Sequence, residues 1–376
     1  MWACLLWLLP AAALGYSNST EWIMLHYNEC KAAGKKQFKG EALGYVTPWN
    51  GEGGRFAVKY AGKLDYLVPV WYQVVVAEDG LVEIRGEGNE TWVQEVHSVN
   101  PGTKVMPRVI LEKTSKKAYA RLLDTDPEID SFATQLITFA NKHKYPGLTL
   151  ELWLPGTALL SSTKAGEEMA LHIRFIERVA KAFKRAGVLV ILPVPPARAY
   201  QYNDFDSGAF LRLSPFIHRF HVMTYDFSGS VAGPNSPLVW IESMIDFLFY
   251  KFDAEGMEEE EADVKYAELV RKVLVGVPFY GYLFTPLPKA KSEKSRTHTA
   301  EPINGNDYLD LLNDYKPVLE WQEKYHEHSF KLPSSEEVYY PTQTMLALRL
   351  EAASRLSLGV GIWELGQGFD LFFDLL

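Results

Sequence analysis

The sequence predicts an α/β protein folded as a (β/α)8 TIM barrel, with parallel strands inside and helices outside. Eight short runs of β-branched and aromatic residues alternate with longer segments whose apolar residues recur at the helical period. The chain has 376 residues, more than the ~250 typical of this barrel. A doubly wound sheet is the alternative, but the glycines after Trp49 do not form the helix-opening GxGxxG turn that binds phosphates.

The predicted strands lie in this order: Ala42 to Thr47, Tyr66 to Val75, Lys104 to Leu111, Leu148 to Trp153, Val188 to Val194, Phe220 to Tyr225, Val273 to Phe279 and Gly359 to Trp363. Three of the intervening helices have recognisable ends. We expect Asp126 to cap one helix with Pro127 in its first turn, and Gly187 to end a second. Gly359 is expected to end a third helix that begins near Met345.

The gap between strand seven and strand eight is unusually long, from Gly281 to Gly359. It contains a final helix and a region of mixed character, which predicts a small hairpin-rich lobe at about 282–340 on the upper rim of the barrel. The expected organisation is a signal peptide at 1–15, an N-terminal extension at 16–40, and a barrel with its inserted lobe at 41–376.

The charge of the chain excludes a nucleic-acid-binding surface that covers the whole molecule. There are 38 Lys and Arg residues against 47 Asp and Glu residues, which gives a net charge of -9. Seven of the acids lie at 253–263 with no base among them, and we interpret this run as a solvated insertion.

The N-terminus predicts export. The first 15 residues are apolar and end in small side chains, as in a secretory signal, and they are too few for a membrane span of ~20 residues. The sequons at Asn18 and Asn89 are candidate glycosylation sites. If Cys4 leaves with the signal, Cys30 is either a free thiol or an intermolecular bridge. We expect a secreted or lysosomal protein without a membrane span.

In a barrel of this kind, reactive groups lie where the strands end. Along strand four, the period of two places Thr149, Glu151 and Trp153 inside the barrel and the intervening leucines under the helices. A glutamate inside the barrel is either a hydrogen-bonded core acid or a site acid. The ends of the other strands carry mostly aromatic side chains, namely Tyr45, Trp49, Met223, Tyr225, Asp226, Tyr280 and Trp363, and Trp71 lies in strand two.

Several of these segments together resemble glycoside hydrolase family 18, the chitinase family. The resemblance rests on MTYD at 223–226, GVPFYG at 276–281 and the tryptophan that ends strand eight, all in the family's order. It implies that the central sugar subsite is framed by Tyr225, Asp226, Tyr280 and Trp363, with Met223 on its floor. The ligands it implies are oligosaccharides that contain N-acetylglucosamine, such as chito-oligosaccharides.

Strand four departs from the family's pattern. Family 18 enzymes carry DGxDxDxE, whose final glutamate is the proton donor, whereas the same positions here read PGLTLELW from Pro146 to Trp153. An indole has no proton to donate, and losing a positioned general acid typically costs ~10² to ~10⁴ in rate. Glu151 lies two residues, roughly 6.6 Å, deeper along the strand, so it can replace the donor only if the backbone or the sugar shifts.

Three functions are compatible with the sequence. The first is an oligosaccharide-binding protein without chitinase catalysis, in which Trp153 is a stacking platform or a plug. The second is a weak or unusual glycosidase that uses Glu151 as its acid. The third is a protein-binding barrel that is the cargo of a sorting or scavenger receptor.

No cofactor and no metal site are expected. His218 and His221 have no acid or cysteine nearby in the sequence, and His326 and His328 lie in a charged stretch that we expect to be solvated. These histidines are therefore expected to be core or surface residues.

Overall fold

The structure is a computed structural model that describes residues 17–32, 34–161, 165–196, 205–287 and 297–376. The signal peptide expected at 1–15 lies outside the described residues, as do residues 16 and 33 of the expected extension. Within the described ranges, no helix is both long enough and apolar enough to cross a membrane.

The described residues form the strands β1 (Ala42–Val46), β2 (Tyr66–Pro69), β3 (Tyr72–Val76), β4 (Val82–Arg85), β5 (Lys104–Val105), β6 (Arg108–Leu111), β7 (Gly147–Glu151), β8 (Leu189–Val194), β9 (Arg219–Val222), β10 (Val273–Pro278), β11 (Gly281–Pro286), β12 (His298–Ile303), β13 (Glu320–Gln322), β14 (Glu327–Lys331), β15 (Glu337–Tyr339) and β16 (Gly359–Trp363). The α-helices are α1 (Thr20–His26), α2 (Gly51–Lys59), α3 (Glu90–Val99), α4 (Lys116–Asp124), α5 (Asp126–Lys142), α6 (Trp153–Thr157), α7 (Ala165–Arg185), α8 (Ser207–Leu213), α9 (Leu238–Phe249), α10 (Glu259–Val270), α11 (Gly305–Tyr315) and α12 (Gln343–Arg355).

The main sheet closes into the predicted (β/α)8 barrel. Its strand order in the described chain is β4-β3-β6-β7-β8-β9-β10-β16-β1-β2-β5. Predicted strands two and three each consist of two short strands, and β2 pairs with β5 while β3 pairs with β6, so both halves keep the same neighbour. The breaks lie at or beside Pro69 and Pro107, whose nitrogens have no hydrogen to donate to the sheet.

Two apolar layers hold the barrel together. Helices and strands bury a large outer core between them, in which α5 packs against α7. A smaller cluster fills the inside of the barrel: Leu43, Tyr45, Tyr66, Val68, Val70, Met106, Ile191 and Leu274. The side chains of both layers alternate along the strands, which is the pattern that the sequence predicts.

The helix ends follow the sequence with two differences. α5 begins at Asp126, and its N-cap is Thr125 rather than Asp126. Gly187, with φ +70°, takes the left-handed conformation after α7 as predicted. After α12 that conformation belongs to Ser357, with φ +58°, because Gly359 is already in β16. A Cβ on Gly359 would lie 2.4 Å from a methyl carbon of Leu274, so this glycine serves close strand packing instead.

The predicted insertion lies between β10 and α12 as an antiparallel sheet in the order β12-β11-β15-β14-β13, together with α11. One expectation about it is wrong, because Glu327 and His328 of the charged stretch are buried in β14. Glu327 accepts hydrogen bonds from the backbone N–H groups of Asn235 at 3.0 Å and Ser236 at 2.7 Å. The guanidinium of Arg349 lies 3.4 Å from the same carboxylate, so the buried charge is paired.

The N-terminal segment packs on the C-terminal residues. The backbone N–H of Gln37 donates to the carbonyl of Leu376 at 2.7 Å, and that of Ala32 donates to Asp374 Oδ1 at 2.8 Å. Cys30 is a free, partly buried thiol. Burial, and then the neighbouring Asp374, raise the pKa of Cys30 to about 11, so its reactive thiolate is scarce at neutral pH.

Candidate functional site

β7 carries a carboxylate to the mouth of the barrel, where the strands end. Thr149 is fully buried, and its Oγ1 donates to the carbonyl of Met106 at 3.0 Å. Two residues further on, the side chain of Glu151 is 19% exposed, and its Oε2 accepts a hydrogen bond from Arg108 Nη1 at 3.0 Å. Burial raises the pKa of Glu151, and the charge of Arg108 opposes that rise. Glu151 is therefore anchored by a partner on the adjacent strand.

Arg108 belongs to the site, although it is not among the residues predicted from the sequence. It lies two positions after Met106, whose side chain fills the barrel interior, so the period of two places Arg108 on the inner face. In the parallel register of β6 and β7, Arg108 lies opposite Thr149. An arginine inside a barrel needs an acidic partner, and Glu151 is the acid that the same alternation places nearby.

Trp153 is not at the mouth, which corrects its assignment to carbohydrate binding. The strand ends at Glu151, Leu152 takes φ -110° and ψ -27°, and Trp153 begins the short helix α6. The centroid of the fully buried indole lies 5.1 Å from the ring of His172 and 4.7 Å from the ring of Phe205. Because the alternation stops before Trp153, its ring packs among other rings of the core and offers no surface to a sugar.

Asp226 is held at the mouth by the loop after β9 and by the start of the lobe. Its φ of +60° is a left-handed conformation that aspartate adopts more readily than most residues. Asn235 Oδ1 accepts the Asp226 N–H at 2.8 Å, and Asn235 Nδ2 donates to the carbonyl of Tyr280 at 3.0 Å. Asp226 Oδ1 accepts hydrogen bonds from the hydroxyls of Tyr280 and Tyr282, the latter at 2.6 Å. These bonds fix the direction of the carboxylate.

Tyr225 lies between the ring of His221 and the ring of Tyr280 at the mouth of the barrel. Its ring centroid lies 6.2 Å from that of Tyr280 and 6.1 Å from that of His221. Burial raises the pKa of Tyr225 well above its usual range, and the charges of Asp226 and Glu151 add to the rise. The charges of both carboxylates therefore act on the same phenol.

The opposite wall of the mouth is aromatic. Trp363 ends β16 and is partly buried, with its ring centroid 5.0 Å from that of Tyr45. The buried Tyr45 hydroxyl lies 3.0 Å from His221 Nδ1, which anchors this ring in the barrel interior. Trp363 therefore packs on the buried ring of Tyr45, which in turn is held by His221.

Three other predicted residues lie after or between strands of the barrel and have no described contact with this group. Trp49 follows β1 and is 70% exposed. Trp71 lies between β2 and β3 and packs edge-on against Trp92, with centroids 5.5 Å apart. Met223 directly follows β9 and is partly buried. The predicted residues that the structure brings together are Tyr45, Glu151, Tyr225, Asp226, Tyr280 and Trp363.

The two sequons differ in accessibility. Asn89 is exposed and caps α3 through Oδ1, which accepts the Trp92 N–H at 3.0 Å, while its Nδ2 has no hydrogen bond to any described residue. Asn18 is partly buried, and its Nδ2 donates to Thr344 Oγ1 at 2.5 Å. Because a glycan is attached through Nδ2, this geometry favours Asn89 over Asn18 as an acceptor.

The histidines near β9 belong to the packing of the barrel. His218 Nε2 lies 2.8 Å from the hydroxyl of Tyr66, and His221 is buried beside Tyr45. In the part of the chain that the structure describes, no group of three His, Cys, Asp or Glu side chains is arranged to hold a metal ion.

Together, the groups at the mouth suit a neutral polyol. The carboxylates accept hydrogen bonds, the tyrosine hydroxyls and the Arg108 guanidinium donate them, and the indole of Trp363 offers an apolar face. Sugar rings need this combination, because their hydroxyls require hydrogen bonds and their C–H faces pack on aromatic planes.

Comparison with known proteins decides the family. A model described as Glycosyl hydrolases family 18 matches residues 41–368. The chain belongs to glycosyl hydrolases family 18. This family 18 chain is 28% identical over 182 residues to the uncharacterized glycosylase YvbX of Bacillus subtilis, and 25% identical over 212 residues to an endochitinase of Manduca sexta. The matches cover 46% and 54% of this chain and 41% and 36% of the relatives, so it spans less than half the length of these curated relatives.

Solved structures share the barrel with this family 18 chain. A chitinase from Chromobacterium violaceum has a TM-score of 0.67 at 17% identity, over 89% of this chain and 97% of that one. A class V chitinase from Nicotiana tobaccum in complex with NAG4 has a TM-score of 0.66 at 14% identity, over 89% and 97% of the two chains. At such low identities the likeness shows the fold alone.

Proposed function

We propose that this family 18 chain binds oligosaccharides at the mouth of its barrel without the hydrolysis typical of the family. The observation that supports the proposal most strongly concerns Trp153, the residue that the resemblance aligns with the proton donor of the family motif. Its indole has no acidic proton, and it is buried between His172 and Phe205. Glu151 and Asp226 remain as carboxylates suited to binding hydroxyl groups.

The proposed ligands are chains that contain N-acetylglucosamine, such as chito-oligosaccharides. The family's chitinases and the NAG4 complex of the Nicotiana protein support this class. In the proposal, Trp363 is the platform under the central sugar and Asp226 binds its polar groups. We call this proposed binding region, at Glu151, Asp226 and Trp363, the cleft, and the exposed Trp49 extends it along the rim.

Chitotetraose tests binding and turnover in one preparation. We expect the purified protein to bind it in isothermal titration calorimetry and to release no more reducing ends than a Glu151→Gln variant does. Turnover in the parent protein that disappears in Glu151→Gln would overturn the proposal and assign catalysis to that carboxyl.

One observation favours the alternative of a weak glycosidase, because burial raises the pKa of Glu151, as a general acid requires. The Arg108 guanidinium at 3.0 Å acts against it by favouring the ionised carboxylate. Arg108→Gln separates the two functions. Removing the cation leaves Glu151 protonated at higher pH, so turnover of chitotetraose rises under the alternative, whereas the sugar stays intact under our proposal.

We also propose that the chain is exported to the medium or to lysosomes and carries a glycan on Asn89. The apolar leader and the exposed sequon support this. In eukaryotic cells, Asn89→Asp should lose the glycan mass yet keep the α3 cap, since a carboxylate also accepts the Trp92 N–H. Asn89→Ala should lose both, at a cost of about 1 kcal/mol in stability. Protein recovered from cytosol with Met1 intact would contradict export.

Within the family, GPNSPL at 233–238 and IWELGQGFDLFFDLL at 362–376 resemble the stabilin-interacting, chitinase-domain-containing proteins. We propose that the chain belongs to this subgroup and that a sorting or scavenger receptor is its protein partner. A receptor ectodomain that binds the chain equally with and without saturating chitotetraose would show that this partner uses a surface other than the cleft.

A further inference from the structure

We infer that the end of the barrel opposite the cleft holds a second binding site, for a small sulfate or phosphate monoester. The site is a cavity of about 370 Å³ where the strands begin. Its walls come from the segment before β1, the start of β9, the end of α10 and the turn between α12 and β16. The polar side chains in these walls are Lys39, Glu41, Arg219, Arg271, Ser354 and Ser357.

The negative charge of Glu41, the acid in the cavity, is compensated by a neighbouring cation. Both oxygens of Glu41 accept hydrogen bonds from the Arg219 guanidinium, and Oε1 also accepts one from the Tyr66 hydroxyl at 2.9 Å. Although burial opposes the effect, these bonds hold the pKa of Glu41 below its usual value. Glu41 and Arg219 therefore cancel each other's charge.

Two cations and two hydroxyls in the walls remain unpaired. Lys39 and Arg271 make no ion pair and no side-chain hydrogen bond with any described residue, and the same holds for the hydroxyls of Ser354 and Ser357. Guanidinium and ammonium groups beside hydroxyl donors are the set that binds the oxygens of a sulfate or phosphate. The cavity contains this set with no unpaired acid to repel the ligand.

Further cations lie near this end of the barrel, although the whole chain carries a net charge of -9. Burial, followed by Arg219, lowers the pKa of His218 to about 4; the charge of Glu41 opposes this shift, and Lys272 and Lys104 add to it. Burial also lowers the pKa of Lys272, and Arg219 and Lys184 contribute. The neighbouring cations add to the attraction that Lys39 and Arg271 exert on an anion in the cavity.

The size of the cavity points to an ester rather than a bare ion. Its volume of about 370 Å³ lies within the roughly 300 to 1,000 Å³ of sites for small organic molecules. A free sulfate fills only part of that space. The organic part of an ester would fill the rest of the cavity. It would lie against the Glu41–Arg219 ion pair and the neighbouring backbone.

Calorimetry at constant ionic strength tests the site with glucose 6-sulfate, glucose 6-phosphate, inorganic phosphate and glucose, each with the cleft saturated by chitotetraose. We expect at least one ester to bind, more tightly than inorganic phosphate and far more tightly than glucose. The double variant Lys39→Ala/Arg271→Ala should weaken ester binding at least tenfold. Lys265→Ala, which removes a charge from α10 outside the cavity, should leave it unchanged.

The other outcomes overturn the inference. The inference is wrong if no binding of either ester is detected. It is also wrong if the parent and the double variant bind the ester with equal affinity, or if inorganic phosphate binds as tightly as the esters do. Arg271→Lys keeps the charge and should retain binding within a few-fold, which separates loss of the site from loss of folding. Chitotetraose affinity should be the same in all variants. The experiment therefore tests this site independently of the proposed oligosaccharide site.

Discussion

Two tryptophans, Trp153 and Trp363, have different surroundings because they lie at different positions relative to the end of their strands. Trp153 and Trp363 both come at or just after the end of a barrel strand. Trp363 is still part of its strand and therefore lies at the mouth, beside Tyr45. Trp153 comes two residues after its strand ends, and the chain has already turned into α6. One ring is therefore available to a ligand, and the other is part of the core.

Replacing Trp363 should damage binding more than replacing any single carboxylate at the mouth. An aromatic anchor commonly loses ~2 kcal/mol or more when truncated, so Trp363→Ala should weaken chitotetraose binding roughly thirtyfold. Asp226→Asn should weaken it about tenfold or less, since the amide keeps one oxygen that accepts a hydrogen bond in place of the carboxylate. Calorimetric titrations of the two variants measure both effects.

Trp153→Ala is the matched control for this prediction. Removing a fully buried indole should lower the free energy of unfolding by ~3 to ~5 kcal/mol and leave the affinity of the folded protein unchanged. A larger loss of affinity in Trp153→Ala than in Trp363→Ala would mean that the cleft does not bind sugar through Trp363.

For the strands and helices, the sequence predicts those features that depend only on residues close together in the chain, such as the alternation of side chains along a strand. The alternation along β7 correctly places Thr149 inside, and the same reasoning applied to β6 reveals Arg108. The end of β7 depends on the backbone turn at Leu152 and on the rings that receive Trp153, so the alternation could not predict it. The burial of Glu327 likewise depends on partners from distant segments of the chain.

The lobe supports the mouth of the barrel through one buried carboxylate. Glu327 in β14 binds the backbone N–H groups of Asn235 and Ser236, and Asn235 in turn holds the backbone of Asp226. Arg349 on α12 donates to the carbonyl of Ser236 at 2.6 Å. The position of Asp226 therefore depends on an element that contributes no strand to the barrel.

Glu327→Gln should destabilise the protein and weaken chitotetraose binding together. The amide leaves the buried Arg349 charge unpaired and directs an N–H group toward backbone donors, and breaking a buried pair commonly costs ~3 to ~5 kcal/mol. Glu337→Gln on the adjacent β15 is the control, because its partner Lys331 is 69% exposed and such pairs contribute ~0 to ~1 kcal/mol. Thermal unfolding and calorimetry that show equal effects for the two variants would contradict a supporting role for Glu327.

For the whole molecule, the barrel separates two kinds of surface by the direction of its strands. The ends of the strands gather aromatic rings and oriented carboxylates, and their beginnings gather cations around the Glu41–Arg219 pair. A closed barrel keeps these surfaces apart through a packed interior, so substitutions at one end should not change binding at the other. The fold also buries imidazoles, inside the barrel at His221 and under the helices at His172, and their neutral state makes the stability of the fold depend on pH.

Burial lowers the pKa of both His172 and His221 to about 3, from an ordinary value of 6.5. Between those values the unfolded chain binds a proton at each histidine and the folded chain does not, so the free energy of unfolding falls as the pH decreases below 6.5. Each histidine contributes about 1.4 kcal/mol per pH unit. Burial raises the pKa of Glu151 and Glu364, and these carboxyls act in the opposite direction once the pH reaches their own titration range.

A variant isolates the contribution of one histidine from all the others. His172 contacts Tyr119 and Trp153, and burial alone accounts for its lowered pKa, so no neighbouring charge complicates the comparison. His172→Gln should show a free energy of unfolding in urea that falls less steeply below pH 6.5, by up to about 1.4 kcal/mol per pH unit. Parallel profiles for the variant and the parent would mean that His172 gains its proton in the folded state, because only a group that titrates differently in the two states changes the slope.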